Sequence, residues 1–84
     1  MTNTVKKEQI EEILQKSRVH VSTLFEKVAM VSVQLPNGFV ITETSGAVDK
    51  ENYDLEIGKE ICMKRIEDKL WELEGYVLQS ELNK

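Results

Sequence analysis

The chain reads as a single α+β domain in the order helix, two-stranded antiparallel hairpin, long C-terminal helix (α-β-β-α), built to assemble as an oligomer. Three observations predict this. A narrow apolar stripe at helical spacing opens the chain, at Ile10, Ile13, Leu14 and Ser17. The turn sequence Pro36-Asn37-Gly38 separates two β-rich runs. The last third, roughly Asn52 to Leu82, holds no Pro and only two Gly, and it carries two apolar faces where a surface helix needs one.

Met1 to Asn3 reads as a loose end, with Thr4 as N-cap of a helix over Val5–Lys16. Lys6, Lys7, Glu8, Glu11, Glu12 and Lys16 form its wet face, and Glu12 and Lys16 are spaced to pair one turn apart. Arg18 to Glu26 reads as an extended connector, because Val19 and Val21 alternate with Arg18, His20 and Ser22. Its apolar spacing also permits an extension of the first helix; the β-branched cluster favours the connector. Val28–Leu35 and Phe39–Thr44 are the strands. Pro36 fixes φ at the first turn position, Asn37 suits the second, and Gly38 supplies a positive φ. Ala29, Val31, Val33 and Leu35 share one face, and Val28, Met30, Ser32 and Gln34 the other. A lone hairpin is marginal in water, so it must lie on a helix or pair with strands of another subunit. Ser45 to Tyr53 reads as a loop, with Asp49 or Asp54 capping the long helix.

On that helix Leu55, Cys62, Ile66, Leu70, Leu73 and Val77 make the stripe expected to pack on the hairpin and first helix. Ile57, Ile61, Trp71, Leu78 and Leu82 fall nearly opposite, with Gly75 among them. A Gly inside a helix costs about 1 kcal/mol relative to Ala, which close approach of a second backbone beside Trp71 would explain. Length points the same way. About 29 residues make a rod of ~43 Å, whereas a compact chain of this size is ~30 Å across. The helix must overhang its domain, and Ile57, Ile61, Trp71, Gly75, Leu78 and Leu82 are the expected interface of a symmetric homo-oligomer.

Size and charge narrow the function. With 84 residues the chain is one domain, small enough that oligomerisation is a usual source of stability. Hydrophobic residues are 40% and charged residues 31%, a soluble profile. A net charge of −4 disfavours nucleic acid and anionic membrane as partners, since both select a positive field. No apolar run approaches a membrane span and no secretory leader is evident, so a cytoplasmic location is expected. Cys62 is the sole Cys and His20 the sole His, which leaves neither a disulfide nor a zinc site, and no cofactor, in prospect. Cys62 maps to the core stripe, where a thiol is inert. Carboxylate pairs such as Glu11/Glu12 and Glu72/Glu74 read as solvated helix surface. No phosphate loop, dinucleotide fingerprint or nucleophile elbow occurs, and no catalytic residue is assigned.

One constellation has binding chemistry. Gly58, Arg65, Lys69 and Tyr76 fall on a strip beside the core stripe, and Arg18 and His20 join from the connector. Two cations, an aromatic ring and a Gly without side-chain bulk suit an anionic, planar ligand such as a nucleotide. Cations at the edge of an amphipathic helix also snorkel routinely with no ligand at all.

Several short blocks carry a family resemblance: Asn37-Gly38-Phe39, Val48-Asp49, Glu56-Ile57-Gly58 and, most specific, Trp71-Glu72-Leu73-Glu74-Gly75-Tyr76. In order and spacing the sequence resembles small phage and prophage proteins named for gene product 49 of one podophage and gene product 66 of another. The likeness spans nearly the whole chain. Lys50 departs from it, standing where members often have Pro. The resemblance implies a phage accessory protein acting inside a bacterial cell, and it brings no functional residue with it. Two functions are then in view. One is an oligomeric sponge that sequesters a nucleotide-derived immune signal of the host. The other is a protein that docks on a host protein and inhibits it through the Trp71/Gly75 face or the hairpin edge. A structural accessory role without a ligand is the third possibility.

Overall fold

The computed structural model describes residues 4–83, and the loose end expected at residues 1–3 lies outside them. Its elements are α1 (Lys7–Gln15), β1 (Arg18–Leu24), β2 (Val28–Gln34), β3 (Val40–Gly46), a short 3-10 turn (Lys50–Asn52) and α2 (Leu55–Leu82). The strands form one antiparallel sheet in the order β1-β2-β3. The α+β class and both helices agree with the sequence reading; the strand count does not. The expected connector at Arg18–Glu26 is β1, paired along its whole length with β2 from Arg18↔Gln34 to Leu24↔Val28.

A third strand forms because Val19 and Val21 alternate with polar residues, and because a tight turn follows. Phe25 and Glu26 both adopt left-handed backbone, with φ of 53° and 58°, and the Lys27 N–H donates to the Leu24 carbonyl at 3.0 Å. Turns of this kind favour Asn and Gly, so Phe-Glu hides the turn from a reader of the sequence. The added strand also removes the weakness of a lone hairpin.

The second turn follows its residues. Gly38 has φ of 95°, and its N–H donates to the Leu35 carbonyl at 2.8 Å. The Asn37 side chain accepts from the Phe39 N–H at 3.0 Å. β2 and β3 pair from Val28↔Gly46 to Gln34↔Val40, so β3 reaches two residues beyond the expected end. Both candidate caps are used: Asp49 accepts from the Glu51 N–H at the 3-10 turn, and Asp54 from the N–H groups of Glu56 and Ile57 at α2. α1 is shorter than expected at both ends. Its N-cap position is Lys6, with no side-chain cap bond, while the Thr4 hydroxyl instead donates to the Val5 carbonyl at 3.4 Å.

Both helices lie on one face of the sheet. Ile10 of α1, Val31, Val33 and Leu35 of β2 and its turn, Ile41 of β3, and Cys62, Ile66 and Leu70 of α2 form one buried cluster. Each large apolar side chain fully buried there contributes about 2 kcal/mol. α2 runs along β2 in the same direction, from Ala29 toward the Leu35–Phe39 turn. Gly58 makes this possible: a Cβ at that position would lie 2.6 Å from the Ala29 Cβ, well inside van der Waals contact. Past the second turn the sheet ends and the helix continues. Val77, expected in the core stripe, is 52% exposed, because no sheet remains beneath it. The molecule measures 51 × 20 × 19 Å with a radius of gyration of 15.2 Å, against about 12 Å for a compact chain of this length.

The two helix glycines therefore predict opposite responses. Gly58→Ala should lower stability by about 1–3 kcal/mol, since overpacking against Ala29 outweighs the gain in helix propensity. Gly75→Ala meets no atom within 4 Å in the chain and should raise stability by roughly 0.5–1 kcal/mol. Urea unfolding of both variants measures the pair of signs.

Candidate functional site

The face of the sheet turned away from the helices carries an ordered set of polar side chains. Its rows follow from register. Arg18, Gln34 and Val40 lie side by side across the three strands, then His20, Ser32 and Thr42, then Ser22, Met30 and Thr44. The Ser32 and Thr42 hydroxyls hydrogen-bond at 2.8 Å, which orders the centre of the face. A shallow depression of about 450 Å³ opens over Arg18, Val19, His20, Ser32, Gln34 and Val40. One row further, the Ser22 hydroxyl is covered and has no hydrogen-bond partner. A guanidinium, an imidazole, hydroxyls and a carboxamide thus point to one side of a sheet whose backbone is held rigid by pairing.

Of the six sequence-derived ligand candidates, the structure brings Arg18 and His20 together here and sets the other four elsewhere. Gly58, Arg65, Lys69 and Tyr76 do share the β3 side of α2, as the periodicity requires. They are strung along the rod, however, with about 27 Å from first to last at 1.5 Å per residue. Gly58 is buried against Ala29, so its missing side chain serves packing within the chain. The Arg65 guanidinium donates to the Thr44 carbonyl at 2.7 Å, occupying an acceptor on the outer edge of β3 and blunting that edge. Lys69 is exposed one turn on. Tyr76 is exposed beside the second turn, at the rim of an open depression of about 170 Å³ that Leu35, Phe39, Leu73 and Val77 also line together with Asn37 and Glu74. Ser32, Gln34 and Val40 escaped the sequence reading. Their signal was the alternation of β1, which pairs them with Arg18 and His20 only once β1 is taken as a strand.

The expected interface residues divide in the same way. Ile57, Ile61 and Leu82 are exposed and Leu78 half-buried. Trp71 is half-buried and packs against the core cluster. It lies on the side of α2 where α1 arrives, one turn from Glu74, whose carboxylate accepts from the Gln9 side chain at 3.2 Å. Gly75 has open space in front of it.

Among the described residues no three of His, Cys, Asp and Glu come together as metal ligands, and no described helix is long and apolar enough to cross a membrane. Cys62 lies fully buried, with its thiol 3.8 Å from the Ala29 carbonyl. Burial pushes its pKa above the ordinary thiol value, with Arg65 acting weakly in the opposite sense. On α1, Lys16 bonds Glu12 at 2.8 Å and holds its carboxyl below the usual range.

The sequence that builds this geometry matches a known family. The model of the phage protein (N4 Gp49/phage Sf6 gene 66) family matches residues 2–82. The chain belongs to this family. No curated protein and no solved structure matches it. The family match covers every element described above, so the open face of the sheet and the overhanging helix both fall within the N4 Gp49/Sf6 gene 66 region.

The burial of Cys62 yields a direct test. In the folded protein the thiol should resist an aromatic disulfide reagent at pH 8 and react fully in 6 M guanidinium. Fast labelling under native conditions would contradict the seam between α2 and β2.

Proposed function

We propose that this phage protein is a non-enzymatic counter-defence protein, an oligomeric sponge that binds and sequesters a small anionic, nucleotide-derived signal. The observation that carries the reading is the outer sheet face, where Arg18, His20, Ser32 and Gln34 surround a depression of about 450 Å³. Arg18 offers a fork suited to a phosphate, and Val40 offers apolar surface to a base. A ligand on one chain would be covered on one side only. A second copy laid over the face would close the site, which is why the reading requires an oligomer. The neighbouring exposed side chains of Ile57 and Ile61 support self-association independently of the ligand.

Inhibition of a host protein through the Trp71/Gly75 face is the alternative. It has less to draw on, since Trp71 is already partly occupied by the chain's own core.

Calorimetric titration with a panel of cyclic di- and trinucleotides and cyclic ADP-ribose-type compounds tests the proposal. One of them should bind with a large enthalpy. Arg18→Ala should weaken it at least tenfold, as expected for loss of a charge-assisted hydrogen bond. Arg65→Ala should leave the affinity unchanged, because that guanidinium is engaged by Thr44. Absence of heat and of any thermal shift across the panel would overturn the reading.

A further inference from the structure

The two edges of the sheet are finished differently. Which backbone groups face each edge follows from one bond. The Leu35 N–H donates to the Phe39 carbonyl at 2.8 Å, so Ala29, Val31 and Val33, in phase with Leu35, aim their N–H and C=O groups at β3. Val28, Met30, Ser32 and Gln34 aim theirs at β1, and their partners Leu24, Ser22, His20 and Arg18 answer them. Val19, Val21 and Thr23 are left with their backbone groups turned outward. On β3 the same alternation turns Thr44 outward, and the Arg65 guanidinium donates to its carbonyl at 2.7 Å. β1 has no such cover. Among the described residues no hydrogen bond reaches the outward groups of Val19, Val21 or Thr23. The strand also lacks Pro, Lys and any bulge, the usual devices that protect an edge, and Val19 is 48% exposed.

A row of unpaired N–H and C=O groups selects an extended strand. The pattern on β1 selects a second β1, because its outward residues are symmetric about Val21. Laid antiparallel against another copy with Val21 opposite Val21, Val19 meets Thr23, and each outward N–H finds an outward C=O. The same register sets Arg18 opposite Leu24 and His20 opposite Ser22, so no like charges face each other. His20 and Ser22 then form a non-hydrogen-bonded pair, the kind whose side chains lie closer together. The Ser22 hydroxyl is covered yet has no hydrogen-bond partner within the chain, and an imidazole can serve it as donor or acceptor.

We propose that β1 pairs with β1 of a second copy about a two-fold axis at Val21, joining two three-stranded sheets into one continuous sheet. The axis stands perpendicular to the sheet. The outer faces of both copies therefore lie on the same side and stay open, with their depressions flanking the axis. The pairing needs no ligand, and it stands or falls apart from the sponge reading.

Amide hydrogen exchange followed by NMR on the full chain tests the pairing. In a lone chain the Val21 and Thr23 amides face water and exchange fast. In the pair they should be protected at least tenfold at millimolar chain concentration, with the protection fading on dilution. Val19→Pro should abolish that protection. Pro is tolerated where the N–H of an edge strand faces outward, so the fold survives while the edge is blocked, as a thermal melt would verify. Register is read separately by mixing His20→Cys protein with Ser22→Cys protein in a glutathione redox buffer. The 20–22 disulfide should exceed the 20–20 and 22–22 products at least tenfold, while buried Cys62 stays unreacted. Free exchange of the Val21 and Thr23 amides at millimolar concentration would overturn the proposal. So would protection that survives Val19→Pro, or a disulfide pattern with no 20–22 preference. If Val19→Pro fails to fold, the wild-type exchange and the disulfide pattern decide. No nucleotide enters these measurements, so their failure leaves the Arg18 titration untouched.

Discussion

The fold depends on how closely one helix approaches one strand. Where α2 crosses the start of β2, Gly58 faces Ala29, and no space remains for a methyl group between them. That contact sets the spacing between helix and sheet along the rest of the seam. Cys62, Ile66 and Leu70 follow at successive turns and are buried on Val31, Val33 and their neighbours. Two small residues at one end thus allow the larger ones beyond them to pack at the density of a protein interior. Arg65 reaches Thr44 from the flank of the same helix, so α2 organises both the core and the outer edge of β3.

The same arrangement separates the surfaces of the molecule by use. With both helices on one side, the other side of the sheet is left free of any covering element. Its residues are those a strand places outward by alternation, and the pairing of Ser32 with Thr42 fixes the middle of that surface before anything binds. The overhang of α2 and the exposed turn at Phe25 lie at opposite ends. A protein this small accordingly keeps its open polar sheet face apart from its exposed apolar side chains.

Much of this was legible in the sequence, and the failures have physical causes. Pro36, Asn37 and Gly38 each constrain the backbone in a known way, so the β2–β3 turn was readable to the residue. The inward set Ala29, Val31, Val33 and Leu35 followed from alternation alone. β1 was hidden because its turn uses Phe25 and Glu26, whose side chains give no sign of positive φ. Helical periodicity gives the direction of a side chain and carries no information about distance. For that reason Gly58, read as a residue facing a ligand, proved to be the close approach to Ala29 within the chain, and residues on one strip proved too far apart to share a pocket. Trp71 fell opposite the core stripe by angle, yet it packs against the core cluster on the side where Gln9 of α1 reaches Glu74. The position of α1 depends on tertiary packing that no local pattern encodes.

The meander topology has one further consequence. Each strand pairs with its immediate neighbour in the chain, and the connections between them are tight turns, so sheet formation closes only short loops. Short loops of this kind favour rapid sheet formation, whereas docking the helices joins residues as distant in sequence as Gln9 and Glu74. The meander thus offers the long helix a platform that closes no long loop of its own.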